Sequence, residues 1–157
     1  MIPEKTHFLY PAALFAPREP HIINTILGSC VGVCLWDPTM NIGGMAHYML
    51  PLWNGEGLAS PKYGNIAIER LFGKLTSFGS KRNNVKAKIF GGGEVIDNYA
   101  PYFYIGQRNI EIAKEMLGDM NIPIVASSTG GKMGRKIVFN TYTGEVKQRY
   151  VKQQNLL

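Results

Sequence analysis

Two apolar segments, 31–37 (VGVCLWD) and 42–50 (IGGMAHYML), flank the stretch Asp37-Pro38-Thr39-Met40-Asn41, and no other feature restricts the chain as much. Proline presets φ, and Asp and Asn side chains bond their own backbone, so the stretch reads as a turn and 31–50 as a β-hairpin. With the turn at 38–41, Gly32 faces His47 and Cys30 faces Met49. Cys30 and His47 are then diagonal neighbours on one face, their Cα atoms about 7–8 Å apart. A slip of one residue would put them on opposite faces. The other face carries Val31, Val33, Leu35, Ala46, Tyr48 and Leu50 and reads as core. A sheet apolar on both sides is covered on both sides. A narrow cleft is therefore expected, with Gly32 and Gly43 leaving room for a substrate and Trp36, Met45 and Met49 excluding water.

The rest of the chain supplies the layers. Apolar residues Ile68, Leu71, Phe72, Leu75 and Phe78 recur at helical spacing over 64–78, with Gly79 as a left-handed cap. Ile110, Ala113 and Leu117 mark a second helix over 106–120. Extended segments are expected at 22–29, 85–90, 122–127, 136–142 and 145–151, the last two joined at Thr143-Gly144. The fold class expected is α+β (mixed α/β): a single domain over 1–157 with a largely antiparallel, sheet-rich core and two main helices.

Composition narrows the function classes. A hydrophobic fraction of 45% and a charged fraction of 18% are those of a globular protein. No apolar run approaches the roughly 20 residues that cross a bilayer. The opening MIPEKTHFLYPAALF lacks the basic-then-apolar order of a secretory signal, so a cytoplasmic protein without membrane insertion is expected. The net charge of +6 suits an acidic partner or simply a solvated surface. Its lysines and arginines are scattered and no zinc-finger or RNP motif accompanies them, which argues against nucleic acid. Cys30 and Cys34, on one strand, lie about 13 Å apart, too far for a disulfide or a shared zinc ion. No metal and no cofactor are expected.

The chemistry must then come from side chains. A free thiol is only a few per cent thiolate at neutral pH and needs a base. An imidazole beside Cys30 supplies one and can later protonate a leaving amine. Gly28 and Ser29 permit a tight turn whose amides can meet an oxyanion, and Gly32 completes the expected substrate surface. A third polar group should orient the imidazole; Thr25 and Asn24 are nearest in sequence. The bland alternative is that Cys30 is a small buried hydrophobe and His47 a bonded core residue, a reading assigned here to Cys34. His7 and His21 read as surface residues, although His21 lies within reach of the site. Gly91-Gly92-Gly93 and TGGKMGRK (129–136) match no phosphate-loop spacing and read as tight turns or close backbone approaches.

LGSCVGVCLWDP, followed by GGMAHYMLP with its histidine seventeen residues after the first cysteine, resembles the CheD chemoreceptor glutamine deamidases. KYGN at 62–65, KIFGGG at 88–93, IGQRNIE at 105–111, GRKIVFN at 134–140 and the TGEV turn extend the likeness along nearly the whole chain. The resemblance implies Cys30 as nucleophile, His47 as general base and a threonine shortly before the cysteine, here Thr25. It implies a fold similar to that of cysteine-dependent deamidating toxins. The implied reaction converts glutamines on the cytoplasmic helices of methyl-accepting chemotaxis receptors to glutamates through a thioester. A CheC-type phosphatase is an implied partner. The alternative function is a non-catalytic binding regulator of such a phosphatase.

Overall fold

The computed structural model describes residues 3–94 and 104–152. The expected hairpin is its centre. β4 (Val31–Asp37) and β5 (Ile42–Tyr48) pair antiparallel with Gly32 opposite His47 and Asp37 opposite Ile42, so the turn has the even length that the pairing requires. Asp37 Oδ1 accepts the amides of Thr39 (2.8 Å) and Met40 (3.2 Å), and Oδ2 accepts the Ser80 hydroxyl at 2.7 Å. Asn41 takes the left-handed conformation, φ 53°, that asparagine tolerates. Asp37 is fully buried, and these donors satisfy carboxyl oxygens that would otherwise be costly to bury.

The hairpin lies within a five-stranded sheet of order β2-β5-β4-β6-β7, built with β2 (Ala13–Phe15), β6 (Lys86–Gly91) and β7 (Ile124–Thr129). A four-stranded sheet of order β1-β3-β8-β9 joins β1 (Lys5–Phe8), β3 (His21–Leu27), β8 (Gly134–Asn140) and β9 (Val146–Val151). Both sheets are mixed: β1 runs parallel to β3 and β7 parallel to β6. The class is α+β as expected, and the sheets are antiparallel apart from those two pairs. The short strands β1 and β2 were not expected. Three or four residues among prolines show no readable alternation, and pairing with β3 and β5 is what makes them strands.

Helices α1 (Gly64–Ser77) and α2 (Ile105–Asp119) cover one face of the five-stranded sheet. Ala67, Ile68, Leu71 and Leu75 of α1 and Ile110, Ala113 and Leu117 of α2 pack against Val31, Val33, Leu35, Ala46 and Tyr48. Gly79, φ 110°, ends α1 as expected, with the Ser80 amide on the Leu75 carbonyl at 3.1 Å. The opposite face packs on the four-stranded sheet through Ile23, Leu27, Cys34, Met45, Phe90, Ile137 and Phe139. The layers are helices, sheet, sheet. His47 belongs to the middle sheet and Cys30 to the bend that leads into it; both face the other sheet, not the helices.

That placement corrects the expected cleft. A Cβ on Gly32 would lie 3.1 Å from a Leu27 methyl, and one on Gly43 would lie 2.9 Å from the Leu35 carbonyl oxygen and 3.1 Å from the Phe139 ring. These glycines let the layers approach closely and leave no room for a substrate above them. Trp36 also lies elsewhere: it stands at the far end of β4, bonds the Tyr142 carbonyl at 3.1 Å and fills the space beside Gly144. Met45 is buried in the inter-sheet core, and only Met49 reaches the surface near Cys30.

Candidate active site

His47 is held by its ring and by its backbone. Its position on β5 turns the side chain toward β3, where the Thr25 hydroxyl meets Nδ1 at 2.7 Å. The same hydroxyl donates to the Leu9 carbonyl at 2.7 Å. A hydroxyl has one hydrogen, so with that hydrogen on Leu9 the ring must donate, Nδ1–H to Oγ1. The proton on Nδ1 leaves a lone pair on Nε2, and Nε2 is buried without a hydrogen-bond partner. Thr25 therefore fixes the tautomer in which Nε2 is free to accept a proton. Asn24 does not compete for this place: inward positions on β3 are Ile23, Thr25 and Leu27, and Asn24 turns outward.

The segment joining β1 and β2 forms the wall behind the ring. The Leu9 amide bonds the Asn24 carbonyl at 2.7 Å and the Ala12 amide bonds the His47 carbonyl at 2.8 Å. This wall has no sequence signal, because it exists only once β1 and β2 have paired with strands far along the chain. His7 and His21 lie against Phe15, and His21 begins β3 some 13 Å before Thr25, so His21 does not approach the site.

Cys30 sits in the bend between β3 and β4, half-buried, and packs on the inter-sheet side toward which His47 also turns. No hydrogen bond joins its thiol to Nε2 in this state. Three carbonyls of the bend are each held by the body of the protein. Gly28 O accepts the Gly93 amide at 3.0 Å, Ser29 O accepts Asn109 Nδ2 at 3.0 Å, and Cys30 O accepts the Gly92 amide at 2.9 Å. The amides of Gly28, Ser29 and Cys30 donate to no backbone acceptor among the described residues. The glycine run is thus a close approach, as expected: Gly91 and Gly92 have φ of 98° and 69°, and a Cβ on Gly91 would overlap the Cys30 carbonyl oxygen. Gly130 and Gly131 of the second glycine-rich segment likewise make a left-handed turn, bonded to Gly91 and Glu94. Cys34 is a fully buried member of the inter-sheet core.

Burial sets the protonation states. It raises the Cys30 thiol to about 11 and, outweighing the Leu9 carbonyl's opposite effect, lowers the His47 imidazole to about 4. At neutral pH Cys30 is therefore a thiol and His47 a neutral imidazole.

The same burial makes His47 a stability determinant with a definite sign. Folded His47 stays neutral down to about pH 4, whereas an unfolded imidazole titrates near 6.5. Between those values the unfolded chain binds a proton that the folded chain refuses. Stability from this group is full above pH 6.5 and falls as the pH drops toward 4, by about 3 kcal/mol. Urea midpoints measured from pH 7 to pH 4 should show this slope in the wild-type protein and lose most of it in His47→Gln.

The CheD family model, described as chemotactic sensory transduction, matches residues 49–150. A protein of Trichlorobacter lovleyi named "Probable chemoreceptor glutamine deamidase CheD" is 48% identical over 153 residues, covering 98% of this chain and 95% of its own. The chain belongs to the CheD family. Relatives with the same printed name occur in Sulfurimonas denitrificans, 46% identical with 93% of this chain and 94% of the relative covered, and in Rhodospirillum rubrum, 40% identical with 92% and 81% covered. The matched stretch of the family model starts at Met49, after Thr25, Cys30 and His47. The pairwise CheD matches extend over nearly the whole chain. A crystal structure of Bacillus licheniformis hypothetical protein YfiH superposes with a TM-score of 0.46 at 16% identity, covering 69% of this chain and 49% of that one. Among the described residues, no helix is long and apolar enough to cross a membrane.

Proposed function

We propose that the chain deamidates glutamine side chains of methyl-accepting chemotaxis receptors, as a cytoplasmic protein-glutamine glutaminase of chemotactic adaptation. The single observation that carries the chemistry is the partnerless, buried His47 Nε2 on the face shared with Cys30, its tautomer fixed by Thr25. As the Cys30 sulfur attacks the glutamine Cδ, its proton passes to Nε2. The oxyanion that forms is met by amides of the 28–30 bend, which supply Gly28 and Ser29 with their part in substrate binding. The resulting imidazolium then protonates the departing nitrogen, ammonia leaves, and a thioester remains. His47 next takes a proton from water, the hydroxide attacks the thioester carbonyl, and glutamate is released with the thiol restored. No step calls for a metal or an organic cofactor.

Gly32 enters this scheme through packing. It keeps Leu27 close beneath the bend and offers no surface to the substrate. A CheC-type phosphatase as partner rests on the family likeness alone, and co-elution of the two proteins tests it. For the reaction itself, the wild-type protein is incubated with a receptor cytoplasmic domain and peptides are mapped by mass spectrometry. Conversion of discrete glutamines to glutamates is expected. A folded protein that converts none would overturn the reading and leave the binding regulator in its place.

A further inference from the structure

We infer that Asn109 is a positioning residue of the active site, one that aims the Cys30 amide at the oxyanion. The inference rests on the deamidase reading above and adds to it a residue whose sequence context gave no such signal. Asn109 lies one turn into α2 and is 0% exposed. Its two Nδ2 hydrogens are spent on carbonyls from both halves of the site: Ser29 O, just before the nucleophile, and Met49 O, two residues beyond the base, each at 3.0 Å.

The contact with Ser29 has a geometric consequence. The carbonyl of Ser29 and the amide of Cys30 belong to one planar trans peptide and point in opposite directions; among the described residues no peptide bond is cis. Drawing the carbonyl toward α2 turns the Cys30 N–H the other way, and that N–H has no backbone acceptor. The neighbouring Ser29 N–H is aimed in the same manner, because Gly93 holds the Gly28 carbonyl at 3.0 Å. One of the two donors is thus set by a main-chain bond and the other by a replaceable side chain. Holding Met49 O with the same amide group keeps the bend in register with the strand that carries His47.

Asn109 is itself held. Its backbone carbonyl accepts the buried Tyr48 hydroxyl, and the helix start before it is pressed onto Gly92, where a Cβ on Gly106 would overlap the Gly92 carbonyl oxygen. The aim of the amide is therefore built into the packing of α2 against the glycine run.

The test separates orientation of the amide from integrity of the fold. Asn109→Ala and Asn109→Ser are compared with wild type for receptor deamidation, for the rate of Cys30 alkylation by iodoacetamide and for thermal melting. Displacement at iodoacetamide develops no oxyanion, so alkylation does not use the amide. Expected is a fall in kcat on the order of 10- to 100-fold, with KM and the alkylation rate each changed by less than about threefold. Full kcat in both variants would overturn the assignment. So would a parallel loss of kcat, alkylation behaviour and melting temperature, which would make Asn109 a folding residue only. An inactive wild-type protein would instead overturn the deamidase reading, and this assignment with it, while active wild type beside unaffected variants removes the assignment alone.

Discussion

Cys30→Ala is expected to lower receptor-glutamine conversion by at least about 10⁴-fold, the scale on which removal of a nucleophile acts when it shares a concerted site. Cys34→Ala should leave kcat within about twofold, because that sulfur is buried in the inter-sheet core and touches no reacting group. The contrast is informative because the thiols stand four positions apart and meet the same inter-sheet core, Cys34 within it and Cys30 at its edge. Cys34 replacement should still cost stability, about 1 kcal/mol, for the contacts its sulfur makes in the core. Cys30→Ser offers a second view. A hydroxyl is a weaker nucleophile, so its activity should stay near that of alanine even though the bend keeps its carbonyl bonds to Gly92, Gly93 and Asn109. The measurement is the initial rate of glutamate formation in a receptor domain, with folding checked by urea midpoint. Retained activity in Cys30→Ala would remove the thioester from the reaction.

How far the sequence reveals this site depends on the range of the contacts involved. The pairing of β4 with β5 was readable because Asp37, Pro38 and Asn41 define a local turn, and parity then puts His47 opposite Gly32, on the inter-sheet face against which Cys30 packs. Helices α1 and α2 were readable from their apolar stripes for the same local reason. The choice between Thr25 and Asn24 was not. β3 reads Ile22, Ile23, Asn24, Thr25, Ile26, Leu27, with apolar residues on both faces, so alternation cannot say which polar residue turns inward. Gly32 and Gly43 were misread because a glycine in a strand marks either open space or close approach, and only the second sheet decides. The Leu9 carbonyl gave no signal in the sequence, and Asn109 entered only within IGQRNIE, with no contact assigned to it. Each acts across 16 residues or more, Leu9 on Thr25 and Asn109 on Ser29 and Met49.

His47→Ala should lower kcat by about 10³-fold while KM moves by less than about twofold, since a general base acts in the transition state more than in binding. The pH profile of the wild-type protein distinguishes how that base works. With the imidazole at about 4 and the thiol at about 11, the resting pair is neutral across the whole physiological range. The limbs of the kcat/KM profile, which belong to the coupled pair, should therefore lie near those values, leaving a broad plateau through neutrality. A standing thiolate–imidazolium pair would behave differently, with an acid limb set by formation of the thiolate and fast alkylation at neutral pH. In the neutral pair, the iodoacetamide rate at Cys30 should instead climb about tenfold per pH unit toward pH 10. Thr25→Val sharpens the test: with no acceptor at Nδ1 the tautomer is no longer fixed, and kcat should drop by about tenfold, the worth of one buried hydrogen bond. Thr25→Ser keeps the oxygen and should restore most of the rate. An acid limb near 6.5 in the wild-type protein, unmoved in Thr25→Val, would show that His47 is not the group whose proton affinity the site is built to set.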